Sequence, residues 1–192
     1  DTGLGATECG DPGESCAFHI VGHYLGGVHA WMVAAHCDRR IRTVAVINSA
    51  HPRQYLRRAT WPRQVAKSWY AAALQVPFLP EALLTLFSRR VLKELEADGW
   101  KPPAPDITLR DFEGAVLNAL NQYRQFARDI PKFLSEQAGP AEMPVLVISS
   151  EGDRYLEEAS GPEFSDLARR VTIRVIPGKH WLHHEQAPRV NR

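Results

Sequence analysis

Three residues of this 192-residue chain stand where a nucleophile, a general base and the base's carboxylate partner would stand. Tyr24 is the centre of Gly22-x-Tyr24-x-Gly26, Asp153 closes Glu151-Gly152-Asp153, and His180 follows Gly178-Lys179. The glycine spacing is that of a strand-turn-helix elbow, which holds its middle residue in a strained conformation and asks for small residues two before and two after it. A histidine oriented by a carboxylate takes a proton from a nucleophile or from water. An elbow residue activated in this way works by forming a covalent intermediate. The middle residue of such an elbow should be Ser, Cys or Asp, and Tyr24 departs from that pattern.

Each of these residues has to be carried by the end of a strand. Phe18 to Val21 is short, apolar and partly β-branched, as a buried parallel strand should be, and Val28 to His36 continues as an alanine-rich helical pattern. A second apolar strand, Ile41 to Ile47, runs into Asn48-Ser49-Ala50-His51-Pro52. Val145 to Ile148 precedes Asp153, and Val171 to Ile176 precedes His180, with Ser165 to Arg170 read as the end of a helix between them. The order is elbow, acid after a strand, histidine after the last strand, which is the α/β-hydrolase order. Arg53 to Gln137 separates two of the strands and reads as mostly helical. Pro80 to Ala97 repeats Leu83, Leu84, Phe87, Val91, Leu92 and Leu95 at helical spacing. Trp100 to Pro105 breaks the pattern with three prolines, and Thr108 with Asp111 reads as a capping box for a helix carrying Phe112, Val116, Leu117, Leu120 and Tyr123. Asp1 to Ser15 is Gly-rich, without periodicity, and reads as loop.

Composition sets the outer bounds. With 44% hydrophobic and 23% charged residues the chain can bury a core, and a net charge of +1 argues against a nucleic-acid partner. No run approaches the length of a transmembrane helix and the first residues lack a signal-peptide layout, so no membrane association is expected. Cys9, Cys16 and Cys37 are odd in number and lack metal-ligand spacing. Reduced thiols, a cytoplasmic location, no metal and no cofactor are the matching expectations.

From Phe18 onward the chain resembles the epoxide hydrolases of the α/β-hydrolase fold. The resemblance is carried by FHIVGHxxGG at the elbow, NSAHP after the next strand, SWYAAALQVPFLPE and ALNQYR in the helical stretch, EGDRYL at the acid and GKHWLHHEQAPRVN at the histidine. It implies a partial α/β-hydrolase fold, a mostly parallel sheet amounting to about the C-terminal half, with core segments 1–52 and 138–192 and an inserted helical cap over 53–137. The family's earlier strands, and a strand-end loop donating to an oxyanion, have no counterpart before Phe18, so Phe18 to Val21 is expected at an exposed sheet edge that favours self-association. By the same resemblance Tyr70 and Tyr123 are the cap tyrosines that hold an epoxide oxygen, His180 is the base and Asp153 its orienting acid. Leu25 supplies an oxyanion N–H, and His23 and Trp181 shape the pocket of a small apolar substrate.

In that family an elbow Asp opens the epoxide to an ester, which histidine-activated water hydrolyses. Tyr24 interrupts the cycle at its first step. A phenol titrating near 10 is protonated at neutral pH, and even as phenolate it would give an aryl ether, which has no carbonyl for water to attack. Little or no turnover is expected, and Tyr24→Asp is expected to rescue it weakly at most. The alternatives are a non-catalytic remnant that binds a ligand, a weak esterase through an acyl-phenol, and a dehalogenase relative, the last ranked low because Leu25 stands where a halide-binding Trp would follow the nucleophile. His183 and His184, Arg57 and Arg58, and Arg89 and Arg90 read as solvated helix faces.

Overall fold

The computed structural model describes residues 17–36, 40–135, 139–159 and 161–192. The loop expected over Asp1 to Ser15, and Cys9, Cys16 and Cys37, lie outside the described residues. Four parallel strands, β1 (Phe18–His23), β2 (Ile41–Ile47), β3 (Val145–Ser150) and β4 (Val171–Ile176), form one sheet in the order β1-β2-β3-β4. Helix α1 (Leu25–His36) crosses from β1 to β2. Helices α2 (Pro52–Arg58), α3 (Pro62–Ala73), α4 (Leu79–Ala97) and α5 (Leu109–Ser135) all lie between β2 and β3, and the short α6 (Leu182–Glu185) and α7 (Ala187–Val190) follow β4.

The two central strands are apolar because both of their faces are covered. Val44 and Val46 of β2 and Val145 and Val147 of β3 pack with Trp31 of α1 and with Phe164, and the Trp31 and Phe164 rings stack at 5.9 Å. On the other face Ile47, Ile148 and Ile176 close over Leu182 of α6. β1 pairs only with β2 among the described residues, and its Val21 is 68% exposed.

Several local expectations change in the structure. The elbow strand extends through Gly22 and His23, and α1 begins at Leu25 rather than Val28, so the turn is a single residue, Tyr24. Between β3 and β4 the helix expected to end over Ser165 to Arg170 is replaced by one 3₁₀ turn, Gly161–Phe164, and a bridge pairing Ala168 with Ala141. The backbone N–H of Ala141 donates to Leu167 O and that of Arg169 to Ala141 O, and this pairing takes the polar groups a continued helix would have needed. Arg58 does not lie on a solvated face. It is 5% exposed, ion-paired to Glu163, and donates to the carbonyls of Glu157 and Glu158 at 3.0 Å. The Thr108 box is present, with reciprocal bonds between Thr108 N and Asp111 Oδ2 (3.0 Å) and between Asp111 N and Thr108 Oγ1 (3.2 Å).

Candidate active site

The elbow is held from three sides. Tyr24 has φ 53°, a left-handed conformation that costs a non-glycine residue about 1–2 kcal/mol. Its N–H donates to Ile47 O at 3.2 Å, and its carbonyl accepts from Ser49 Oγ at 2.7 Å and from the Val28 N–H at 3.1 Å. The steric demand falls on Gly22, as the spacing indicated, but on Gly27 rather than Gly26. A Cβ on Gly22 would sit 2.4 Å from Gly26 O and one on Gly27 would sit 2.4 Å from Ser49 Cβ, whereas one on Gly26 would meet open space.

Asp153 and His180 are brought together by abutting strand-end loops. The Gly152 N–H donates to Gly178 O at 3.0 Å, and a Cβ on Gly152 would lie 2.8 Å from that oxygen, so the two loops touch along their backbones. His180 Nδ1 lies 2.9 Å from Asp153 Oδ2, and both side chains are 2% exposed. The other oxygen of Asp153 accepts from the Tyr155 and Leu156 N–H groups at 2.7 and 3.0 Å, which fixes the carboxylate's rotation. With Nδ1 occupied by the acid, the remaining ring nitrogen of His180 is left for substrate or water.

Above the sheet ends, three hydroxyls meet. Tyr24 Oη is hydrogen-bonded to Tyr70 Oη from α3, and the Tyr123 ring from α5 packs 6.0 Å from Tyr24 and 6.2 Å from Tyr70, its hydroxyl beside theirs. The ring of Tyr24 stands edge-on to His180 with centroids 4.6 Å apart. Burial, and then the neighbouring Tyr123 and Tyr70, hold the Tyr24 phenol well above its usual value of 10. Burial raises the Tyr70 and Tyr123 hydroxyls as well. All three are therefore neutral phenols at physiological pH. They border a cavity of about 470 Å³ whose remaining wall is largely apolar and aromatic, with Leu25, Leu74, Val91, Trp100, Phe112, Val116 and Trp181. Leu25 opens α1, so its N–H belongs to the first turn, which has no intrahelical acceptor. His23 also lines this cavity, and its Nε2 lies 3.0 Å from His180 O.

Three contributors were not singled out in the sequence. Tyr155, two residues after the acid, packs its ring 4.6 Å from His180 and 5.4 Å from Tyr70, and burial pushes its phenol up to about 12. Asn48, with φ 40°, donates from Nδ2 to His180 O at 2.8 Å and Lys179 O at 3.1 Å, and accepts from the Ser150 N–H at 2.8 Å. It ties the ends of β2 and β3 to the histidine loop. Lys67 of α3 donates to the carbonyls of Asp153 and Leu156 at 2.7 and 2.8 Å, anchoring the helix that carries Tyr70 to the acid loop. The signal for Tyr155 and Asn48 was present in EGDRYL and NSAHP, but neither side-chain type announces a contact across the sheet.

His183 is not a solvated surface residue. Its ring packs 4.4 Å from His23 and its Nδ1 is buried, while His184 Nδ1 accepts from the Lys101 N–H at 3.0 Å. Burial, followed by neighbouring histidines, lowers His23 to about 3 and His183 to about 4; burial, then Arg53, lowers His51 to about 4. Unfolded histidines titrate near 6.5, so from about 6.5 down to 4 the unfolded chain binds more protons and acid weakens the fold. Asp98 acts in the opposite sense, because burial raises its carboxyl to about 6 and the folded form takes up that proton first. Three histidines outweigh one carboxyl. The urea midpoint should fall from pH 7 to pH 4, and His51→Gln should flatten that slope; a midpoint that rises on acidification contradicts the assignment. Among the described residues no group of three or more His, Cys, Asp or Glu side chains is placed to hold a metal ion, and no helix is long and apolar enough to cross a membrane.

A parallel sheet with an elbow after one strand, an acid after a second and a histidine after a third defines a class. A family model described as alpha/beta hydrolase fold matches residues 17–187, and the chain belongs to that family. Within it the chain is epoxide hydrolase-like. It is 27% identical over 195 residues to human epoxide hydrolase 4, covering 90% of this chain and 51% of that protein, and 28% identical over 188 residues to epoxide hydrolase 3 of Xenopus tropicalis, covering 90% and 50%. The chain thus spans about half the length of the curated relatives it matches. A Bacillus megaterium epoxide hydrolase structure superposes with a TM-score of 0.70 at 18% identity, over 92% of this chain and 67% of the other.

Proposed function

We propose that this chain is an epoxide hydrolase-like protein whose site binds a small, apolar, oxygen-bearing ligand and does not turn epoxides over. The observation that carries the reading is the position of Tyr24. Its phenol stands at the elbow, beside a buried His180–Asp153 pair, and its oxygen is bonded to the Tyr70 hydroxyl and lies next to the Tyr123 ring. In the catalytic cycle of an epoxide hydrolase two such phenols would donate to the oxygen of the opening ring. Here the Tyr24 hydroxyl already takes that place, and it is held neutral. The helices carrying Tyr70 and Tyr123 act as a cap that closes the cavity from water.

The test is sustained diol formation from an epoxide such as styrene oxide by the purified chain, which should be undetectable above the uncatalysed rate. A rate persisting beyond one equivalent per chain would overturn the reading. Binding is checked separately, by displacement of an apolar fluorophore from the cavity with the unreactive diol. The dehalogenase and esterase alternatives gain no support from the site, since the Leu25 side chain carries no N–H to hold a halide and the Tyr24 hydroxyl is hydrogen-bonded to Tyr70 rather than to His180.

A further inference from the structure

We infer that the apolar mouth between α3 and α4 docks on an anionic lipid surface. Leu79, Leu83 and Leu86 recur at helical intervals on one side of α4, which kinks at Phe87, and these four residues are 44%, 45%, 73% and 50% exposed. Trp69 of α3, 69% exposed, stands across the opening from them. Large apolar side chains gathered on one face mark a contact surface rather than ordinary scatter. Behind them lies an apolar cavity of about 580 Å³. Tyr70, Leu74, Val91 and Val116 line both this cavity and the chamber over His180, so the two adjoin across those four side chains.

Charge selects the occupant. Arg90 is on the rim, one turn beyond Phe87, with Arg89 beside it, and both are exposed. The acidic residues nearest along α4 are engaged elsewhere, Glu81 by Arg124 at 2.5 Å and Glu94 by Arg154 at 3.6 Å. An apolar face bordered by tryptophan and arginine matches the level of lipid headgroups, where indole sits at the interface and guanidinium bonds phosphate. Docking of this kind lies on the membrane and needs no spanning helix.

The experiment is co-sedimentation of the full chain with vesicles of phosphatidylcholine alone and of phosphatidylcholine with phosphatidylglycerol. Binding is expected to the anionic vesicles and to weaken with added salt. Arg89→Gln/Arg90→Gln should bind about thirtyfold more weakly, from the usual contribution of two basic residues at an anionic surface. Trp69→Ser/Leu86→Ser, at two exposed positions, should lose vesicle binding while keeping the wild-type melting curve. Wild-type protein left in the supernatant, or variants that bind as it does, would overturn the inference. So would a dimer in light scattering that Leu86→Ser dissociates without any vesicle binding. The outcome is independent of whether Tyr24 blocks turnover.

Discussion

Tyr24→Asp/His180→Gln, incubated with styrene oxide and then denatured, should show an intact mass increased by one substrate, while His180→Gln alone should show none. The introduced carboxylate oxygen attacks an epoxide carbon, the ring C–O bond breaks, and the departing oxygen takes a proton from Tyr70 or Tyr123. Removing the Tyr24 phenol vacates the place between those two hydroxyls. Without the His180 base the ester accumulates. With His180 present, Tyr24→Asp alone should give weak diol formation, a small part of the roughly million-fold that losing one member of a catalytic set removes. No adduct in the double variant would sink the epoxide hydrolase-like reading of the site.

The second large effect separates two glycines of the same elbow. Gly22→Ala places a methyl 2.4 Å from the carbonyl oxygen of Gly26, a backbone atom that the strand and α1 hold from both sides. Overpacking of this kind costs about 1–3 kcal/mol, with the upper end expected here because the blocking atom is backbone. Gly26→Ala meets nothing outside its own helix and replaces a poor helix former, a gain of up to about 1 kcal/mol. Urea denaturation should therefore move the two midpoints in opposite directions. Equal shifts would show that the strand-to-helix turn is looser than its backbone contacts indicate.

Residue types made the site legible in sequence wherever the chemistry of a residue and its backbone setting coincide. Strands ending before Asp153 and His180 could be read from β-branched runs, because central parallel strands are apolar on both faces. The convergence of Tyr70 and Tyr123 on Tyr24 rested on resemblance, since a tyrosine at a helical spacing looks the same whether it faces a cavity or a core. Arg58 and His183 were misread for a related reason. A charged or polar residue near a helix end usually reads as solvated, and only the tertiary placement of Glu163 and His23 shows Arg58 to be buried and the His183 ring to be packed against the site. The demand on Gly27 escaped notice because it comes from Ser49, a residue on the neighbouring strand's exit.

The placement of four helices between two adjacent strands has a kinetic consequence. Val44 and Val145 pair side by side although they stand 101 positions apart, and Asn48, which reaches His180 O, must span 132. Closing a loop of that length costs entropy before any ladder bond returns it, and parallel pairings between distant segments are among the slowest events in folding. β1, α1 and β2 are contiguous and can assemble early. The His180–Asp153 pair, which needs β3 and β4 docked beside them, belongs to the last part of the chain to become native.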